Sequence, residues 1–268
     1  MKKIIAYPIL FILNLMITPA LKAQTKTVTL DYFFNNEYRK NPAGGSDRFH
    51  YTWEDTKSSG FSILGDIFKK NGARLQSLEN EPTAENLKGT AIYIIVDPDT
   101  KKETADPHYI ETKHIEVIAD WVKQGGVLLL MANDSANAEL PHLNNLAAKF
   151  GIHFNDDLYK HVIGTQFEMG AINIPANDAI FKTAKKIYLK DIATLKLSPP
   201  AKPALVDSLH VVVGTAKYGK GLVIAVGDPW LYNEYTNGRL PAAMEFDNDK
   251  AADDLSKWLL NQIPVKSK

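Results

Sequence analysis

The chain has 268 residues, 45% of them hydrophobic, with 31 basic and 31 acidic side chains and no cysteine. That length is enough to bury a substantial core. The absence of cysteine excludes disulfides, thiolate metal sites and a cysteine nucleophile, and the balanced charge excludes a global attraction for nucleic acid or an anionic membrane.

The amino end reads as a secretory signal peptide. Lys2 and Lys3 precede an almost wholly apolar run from Ile4 to Ile17, followed by Thr18, Pro19, Ala20, Leu21, Lys22 and Ala23. A basic start, an apolar run too short to span a bilayer and a small residue before the cut predict cleavage after Ala23. The expected product is a periplasmic or secreted protein with no membrane attachment. Removing Lys2, Lys3 and Lys22 leaves 28 bases against 31 acids, a net charge of −3.

The remaining chain alternates strand and helix signals. Val28 to Leu30 is a short β-type run ending at Asp31. From Gly60 to Lys70, apolar Phe61, Leu64, Ile67 and Phe68 have helical spacing, and Asn71-Gly72 stops the helix. Ala73 to Leu78 is a second strand. Ala91 to Val96 is continuously apolar, as a strand covered on both faces must be. His114 to Lys123 is helical, Val127 to Met131 is another buried strand, and Leu140 to Phe150 is a helix stopped by Gly151. This order predicts parallel βαβ units.

After about Ile152 the helical signal thins, and Pro175, Pro199, Pro200 and Pro203 punctuate short β-type pieces. These predict antiparallel strands at one edge of the sheet. Val211 to Val213 and Leu222 to Val226 flank the glycines of a hairpin whose second strand returns to the central sheet. Asp253 to Ile263 closes the chain as a helix. The expected architecture is one three-layer α/β domain over residues 24–268, flavodoxin-like or amidotransferase-like, with a mostly parallel sheet and an antiparallel extension in its second half.

Four acids meet strand ends: Asp31, Asp97, Asp134 and Asp228. In a parallel sheet the carboxyl ends share one side, and ligands bind there, so topology predicts convergence of these residues. Each also suits a plain structural role, because Asp caps helices and starts turns. If they converge, mutual repulsion raises at least one pKa or recruits a cation, although no dedicated metal motif is present and no cofactor is expected.

Two segments can cover that edge. One runs from Asn35 through His50, Trp53 and Glu54; the other is Asp228-Pro229-Trp230-Leu231-Tyr232-Asn233-Glu234-Tyr235. Aromatic faces beside carboxylates and amides suit sugars, while Trp53 and Trp230 equally suit anchors on the core. His50 with Glu54 or Asp228 forms a candidate acid–base set. Ser135 follows a strand without the glycines of a nucleophile elbow and reads as a helix cap.

Ser59-Gly60-Phe61-Ser62, Asn71-Gly72, Leu87-Lys88-Gly89, the strand before Asp97-Pro98, Trp121 to Gly126, and Gly227-Asp228-Pro229 through Asn233-Glu234 resemble a bacterial domain of unknown function, similar in fold to class I glutamine amidotransferases. The resemblance covers nearly all of the mature chain. Related domains are associated with unsaturated rhamnogalacturonyl or glucuronyl hydrolases, which implies a carbohydrate context. The missing cysteine rules out amidotransferase chemistry.

The leading expectation is therefore an exported protein that binds an acidic or pectic oligosaccharide at the strand-end crevice. Asp31, Trp53, Asp97, Asp134, Trp230, Asn233 and Glu234 are its candidate ligand-binding residues, and His50, Glu54 and Asp228 its candidate catalytic ones. The alternatives are a glycoside hydrolase or lyase on such sugars, and a non-catalytic structural or interaction domain. Oligomeric state stays open.

Overall fold

The computed structural model describes residues 25–236 and 240–264. The expected signal peptide lies outside the described residues. Among them, no helix is long and apolar enough to cross a membrane.

In chain order the elements are β1 (Thr27–Asp31), β2 (Tyr38–Lys40), β3 (Ser46–Arg48), α1 (Ser62–Lys70), β4 (Arg74–Leu78), β5 (Thr90–Val96), α2 (Thr112–Lys123), β6 (Val127–Met131), α3 (Leu140–Ala148) and β7 (Ile152–Phe154). There follow β8 (Ala171–Asn173), β9 (Lys186–Tyr188), β10 (Leu195–Leu197), β11 (Ala201–Asp207), β12 (His210–Tyr218), β13 (Gly221–Val226), α4 (Asn233–Thr236) and α5 (Asn248–Asn261).

A nine-stranded sheet runs β4-β1-β5-β6-β13-β12-β10-β7, with β11 paired to β12. The first five of these strands pair in parallel. Written by their order in the chain, they read 2-1-3-4-5, the flavodoxin-like order. From β12 outward every pairing is antiparallel, which is the predicted edge extension.

Alternation along the strands explains the three layers. Ile92, Ile94, Val96, Leu129 and Met131 join a core with Leu64 and Phe68 of α1 and Leu255 and Leu259 of α5. Tyr93, Ile95, Leu128 and Leu130 face the other way, onto Ile115, Ile118 and Val122 of α2 and Leu143 and Leu146 of α3. A strand buried on both faces cannot carry a polar face, hence the continuous apolar runs. The Asn71-Gly72 stop is also realised, with Gly72 at φ +83°, a conformation that costs glycine little.

The β2–β3 hairpin and α4 have no counterpart in the predicted series, and β8 and β9, among the short β-type pieces expected after Ile152, do not join the edge of the main sheet. The β2–β3 hairpin stands apart from the main sheet, β8 and β9 form a second small ribbon, and α4 is a single turn. All three lie in segments without apolar periodicity, so long-range packing sets them.

Candidate functional site

Strand order reverses between β1 and β5. From β1 the chain passes through α1 to β4 on one side; from β5 it passes through α2 to β6 on the other, and the two helices lie on opposite faces. The connections diverge at the carboxyl ends of these neighbouring strands, which is where open α/β sheets form ligand crevices. Asp31 ends β1 and Asp97 follows β5, so both flank this point.

The four strand-end acids have different surroundings. Asp31 Oδ2 accepts from the backbone N–H of Phe34 at 2.8 Å and of Phe33 at 3.2 Å, and Oδ1 accepts from the Tyr93 hydroxyl at 2.5 Å. Burial still pushes its pKa up to about 6, against those hydrogen bonds. Asp134 holds its own turn, accepting from Ala136 N at 2.9 Å and Asn137 Nδ2 at 2.6 Å. It is a turn former in this structure, the role that its type favours.

Asp97 is 4% exposed, has φ +45° and accepts from the Tyr51 hydroxyl at 2.8 Å through Oδ2. Its Oδ1 has no partner among the described residues. Burial, and then the neighbouring Glu103, Glu37 and Asp99, hold its carboxyl well above the usual range, against the Tyr51 hydrogen bond. Asp228 is 1% exposed and accepts from the backbone N–H of Lys190 at 2.6 Å; burial pushes its pKa up to about 8. A Cβ at the preceding Gly227 would fall 1.9 Å from the Ala193 carbonyl oxygen. Only glycine lets β13 end against that segment and deliver Asp228 to the edge.

The segment after β1 folds back over this edge, as its polar aromatic content suggested. His50 and Tyr51 both have left-handed backbone, φ +66° and +48°. His50 Nδ1 lies 2.5 Å from Glu37 Oε1. A carboxylate accepts, so Nδ1 carries the proton and Nε2 is left for other partners. The partner of His50 is thus Glu37, not the expected Glu54. Glu54 turns outward to Arg48, its Oε1 2.8 Å from Nε. Trp53 is held by Gln76 O at 3.0 Å and packs on Phe61 and Phe68, so it anchors its loop on α1 and β4.

The second segment divides in the same way. Trp230 is fully buried against Phe181 and offers no face to a ligand at the surface. Asn233 is a clamp: Nδ2 donates to Asp55 O, Lys57 O and Ser62 Oγ at 2.8–3.0 Å, and Oδ1 accepts from Ile63 N at 3.0 Å. It supplies the start of α1 with the side-chain cap that Phe61 cannot provide. Glu234 alone among the sequence candidates lines a cavity of about 310 Å³, together with Ser58, Phe167, Tyr188, Lys190 and Tyr235.

Aromatic rings connect the two halves. Phe49, His50, Tyr51, Tyr232, Tyr235, Tyr188 and Phe167 follow one another at centroid distances of 5.0, 4.3, 6.0, 4.6, 4.7 and 5.7 Å. This row runs from the Glu37–His50 pair, past Asp97, to the cavity. Burial raises the pKa of Tyr51, Tyr232, Tyr235 and Tyr188, and Asp228 lies close enough to add to each. Glu37, Tyr188, Lys190 and Tyr235 are absent from the set nominated by sequence. Among the described residues, no three histidine, aspartate or glutamate side chains stand as a ready-made metal-ligating group.

No protein-family model and no curated protein matches the sequence. Solved structures do. The mmIFT52 N-terminal domain is similar over 88% of this chain and 97% of its own, with 19% identity and a TM-score of 0.64. A cytoplasmic protein from Salmonella typhimurium LT2 is similar over 90% of this chain and all of its own, with 14% identity and a TM-score of 0.58. A β-galactosidase from Bacillus circulans sp. alkalophilus is similar over 89% of this chain but 30% of its own, with 12% identity and a TM-score of 0.51. The chain thus spans under a third of that enzyme. At these identities the likeness is one of mixed-sheet α/β fold.

Proposed function

We propose that this chain is an exported, carbohydrate-associated protein of amidotransferase-like fold that binds an oligosaccharide at the carboxyl edge of its sheet. The observation that carries the reading is the cavity walled by Tyr188, Tyr235 and Phe167, with Lys190 and Glu234 among its lining residues. Sugar C–H faces pack on aromatic rings, while an ammonium and a carboxylate select hydroxyls and acidic groups. Lys190 favours a ligand bearing a carboxylate, in keeping with an acidic or pectic sugar. Structural likeness to a region of a β-galactosidase is in keeping with a carbohydrate context, and carries no active-site residue across.

Calorimetric titration with pectic fragments, beside neutral galactan and mannan oligosaccharides, tests this. Binding of an acidic fragment, weakened by Lys190→Ala and Glu234→Gln, is expected. No heat with any fragment at millimolar concentration, or equal binding by both variants, overturns it.

A hydrolase or lyase is the second reading, favoured by the Glu37–His50 pair. The histidine is oriented by a carboxylate, its side chain is 28% exposed, and its backbone is strained. Those are features of a positioned base. Sugar release from an unsaturated uronyl substrate, lost in His50→Gln, is the outcome this reading requires.

A further inference from the structure

Three buried side-chain oxygens beside the strand-order reversal have no hydrogen-bond partner among the described residues: Asn35 Oδ1, Asp97 Oδ1 and Asp99 Oδ1. Their residues are 2%, 4% and 1% exposed. Such orphans are rare in folded proteins and call for an explanation.

Their positions are linked. Asn35 Nδ2 donates to the Asp97 carbonyl at 3.0 Å, Asn36 N donates to Asp99 Oδ2 at 2.9 Å, and Asp99 N donates to the Phe34 carbonyl at 2.9 Å. Residues 34–36 and 97–99 therefore run side by side, and the three orphaned oxygens belong to adjoining side chains. Asn35 Oδ1 is an amide acceptor and a carboxylate oxygen only accepts, so with Asp97 and Asp99 ionised no member can satisfy another. Glu37 and Glu103 lie close enough to act on both Asp97 and Asp99, and they add negative charge.

We propose that Asn35, Asp97 and Asp99 bind a hard divalent cation, calcium in preference to magnesium. Two carboxylates and one amide oxygen make an all-oxygen donor set, which hard cations prefer. Calcium accepts irregular geometry and mixed amide and carboxylate oxygens, whereas magnesium demands near-ideal octahedra. This set holds two acidic ligands, so it differs from a group of three or more histidine and acidic side chains. Bound cation supplies the partner that all three oxygens lack. It also ties the root of the covering segment to the β5–α2 connection, and so couples cation binding to closure over the edge. The inference stands independently of the oligosaccharide reading.

The mature chain, stripped with EDTA and exchanged into metal-free buffer, is titrated with CaCl₂, MgCl₂ and NaCl by calorimetry and by thermal melts. One calcium per chain, a raised Tm and weaker binding of magnesium are expected. Asp99→Asn keeps the side-chain shape and weakens calcium binding by at least ~10-fold, while Glu54→Gln, at the solvent-facing end of the same segment, leaves it unchanged. No heat and no Tm shift of the wild-type chain with any of the three salts overturns the proposal. Equal calcium binding by a folded Asp99→Asn variant overturns it as well. The wild-type titration decides alone if the variant does not fold.

Discussion

The Tyr51 hydroxyl donates a 2.8 Å hydrogen bond to Asp97 Oδ2, and both residues hold left-handed backbone, at φ +48° and +45°. Neither is a glycine, and such residues cost about 1–3 kcal/mol each unless their surroundings enforce them. The bond joins the covering segment to the end of β5. Tyr51→Phe removes the only side-chain donor, among the described residues, to a buried carboxyl that already has one unpartnered oxygen. We expect a loss of about 1–3 kcal/mol in urea denaturation, with faster amide exchange at residues 49–52. A variant as stable as wild type would show that the pair does not hold the segment down.

Stability should fall as pH rises from about 4 to about 8. Asp228 and Asp99 are pushed up to about 8 and Asp31 to about 6, chiefly by burial, from an ordinary value of 3.8. Across that window the unfolded chain releases protons that the folded chain keeps, so the slope of stability with pH is negative. The contribution is complete below the unfolded pKa and gone above the folded one. Asp207, held below the ordinary value by Tyr159 and Lys160, and Asp247 and Asp253, held there by Lys250 and Lys257 among other partners, act in the opposite sense under pH 4. Denaturant titrations at pH 5.5, 7 and 8.5 should show the decline, and Asp228→Asn should flatten it. An unchanged slope in that variant removes Asp228 from the account.

The sheet was legible because burial on both faces writes continuous apolar runs at Ala91, Val127 and Leu222, and because Asn71-Gly72 and Gly151 punctuate the helices. The strand-end position of Asp31, Asp97, Asp134 and Asp228 was legible for the same reason: a parallel order puts the carboxyl ends of the strands on one side. The partner choices were not. Glu37 reaches His50 across a hairpin of two three-residue strands, which leave no periodic trace. Glu54 was nominated because helical spacing would bring it near His50, yet residues 50–54 form no helix. Tyr188 and Lys190 come from the proline-punctuated half, where β9 and its ribbon are placed by tertiary packing alone.

Trp53 and Asn233 illustrate side chains whose chemistry suits a ligand but whose partners lie within the protein. Trp53→Ala should cost about 2–3 kcal/mol, less than a fully buried tryptophan, since its ring is partly exposed. Asn233→Ala should cost a similar amount, about 2–3 kcal/mol, because it leaves a helix N–H and two carbonyls without their side-chain partner. Both losses should appear in denaturant curves. If either variant kept full stability while losing sugar affinity, that side chain would return to the binding set.

The His50 pair gives the sharpest separation between binding and catalysis. Glu37 Oε1 is 2.5 Å from Nδ1, and the ring is stacked between Phe49 and Tyr51. Orientation therefore has two sources, and the stack survives if the carboxylate is lost. Glu37→Gln keeps the shape but replaces the carboxylate that orients the ring with a neutral amide. If His50 acts as a base on an unsaturated uronyl sugar, the variant should retain affinity and lose turnover by ~10²–10⁴-fold, the usual worth of a positioned acid or base. Glu54→Gln should leave both unchanged, because it removes an outward pair with Arg48 worth little at an exposed surface. If instead the site only binds, Glu37→Gln and wild type should show the same affinity and neither should release sugar. Turnover that survives in His50→Gln and fails in Glu54→Gln would reverse the assignment made from the geometry.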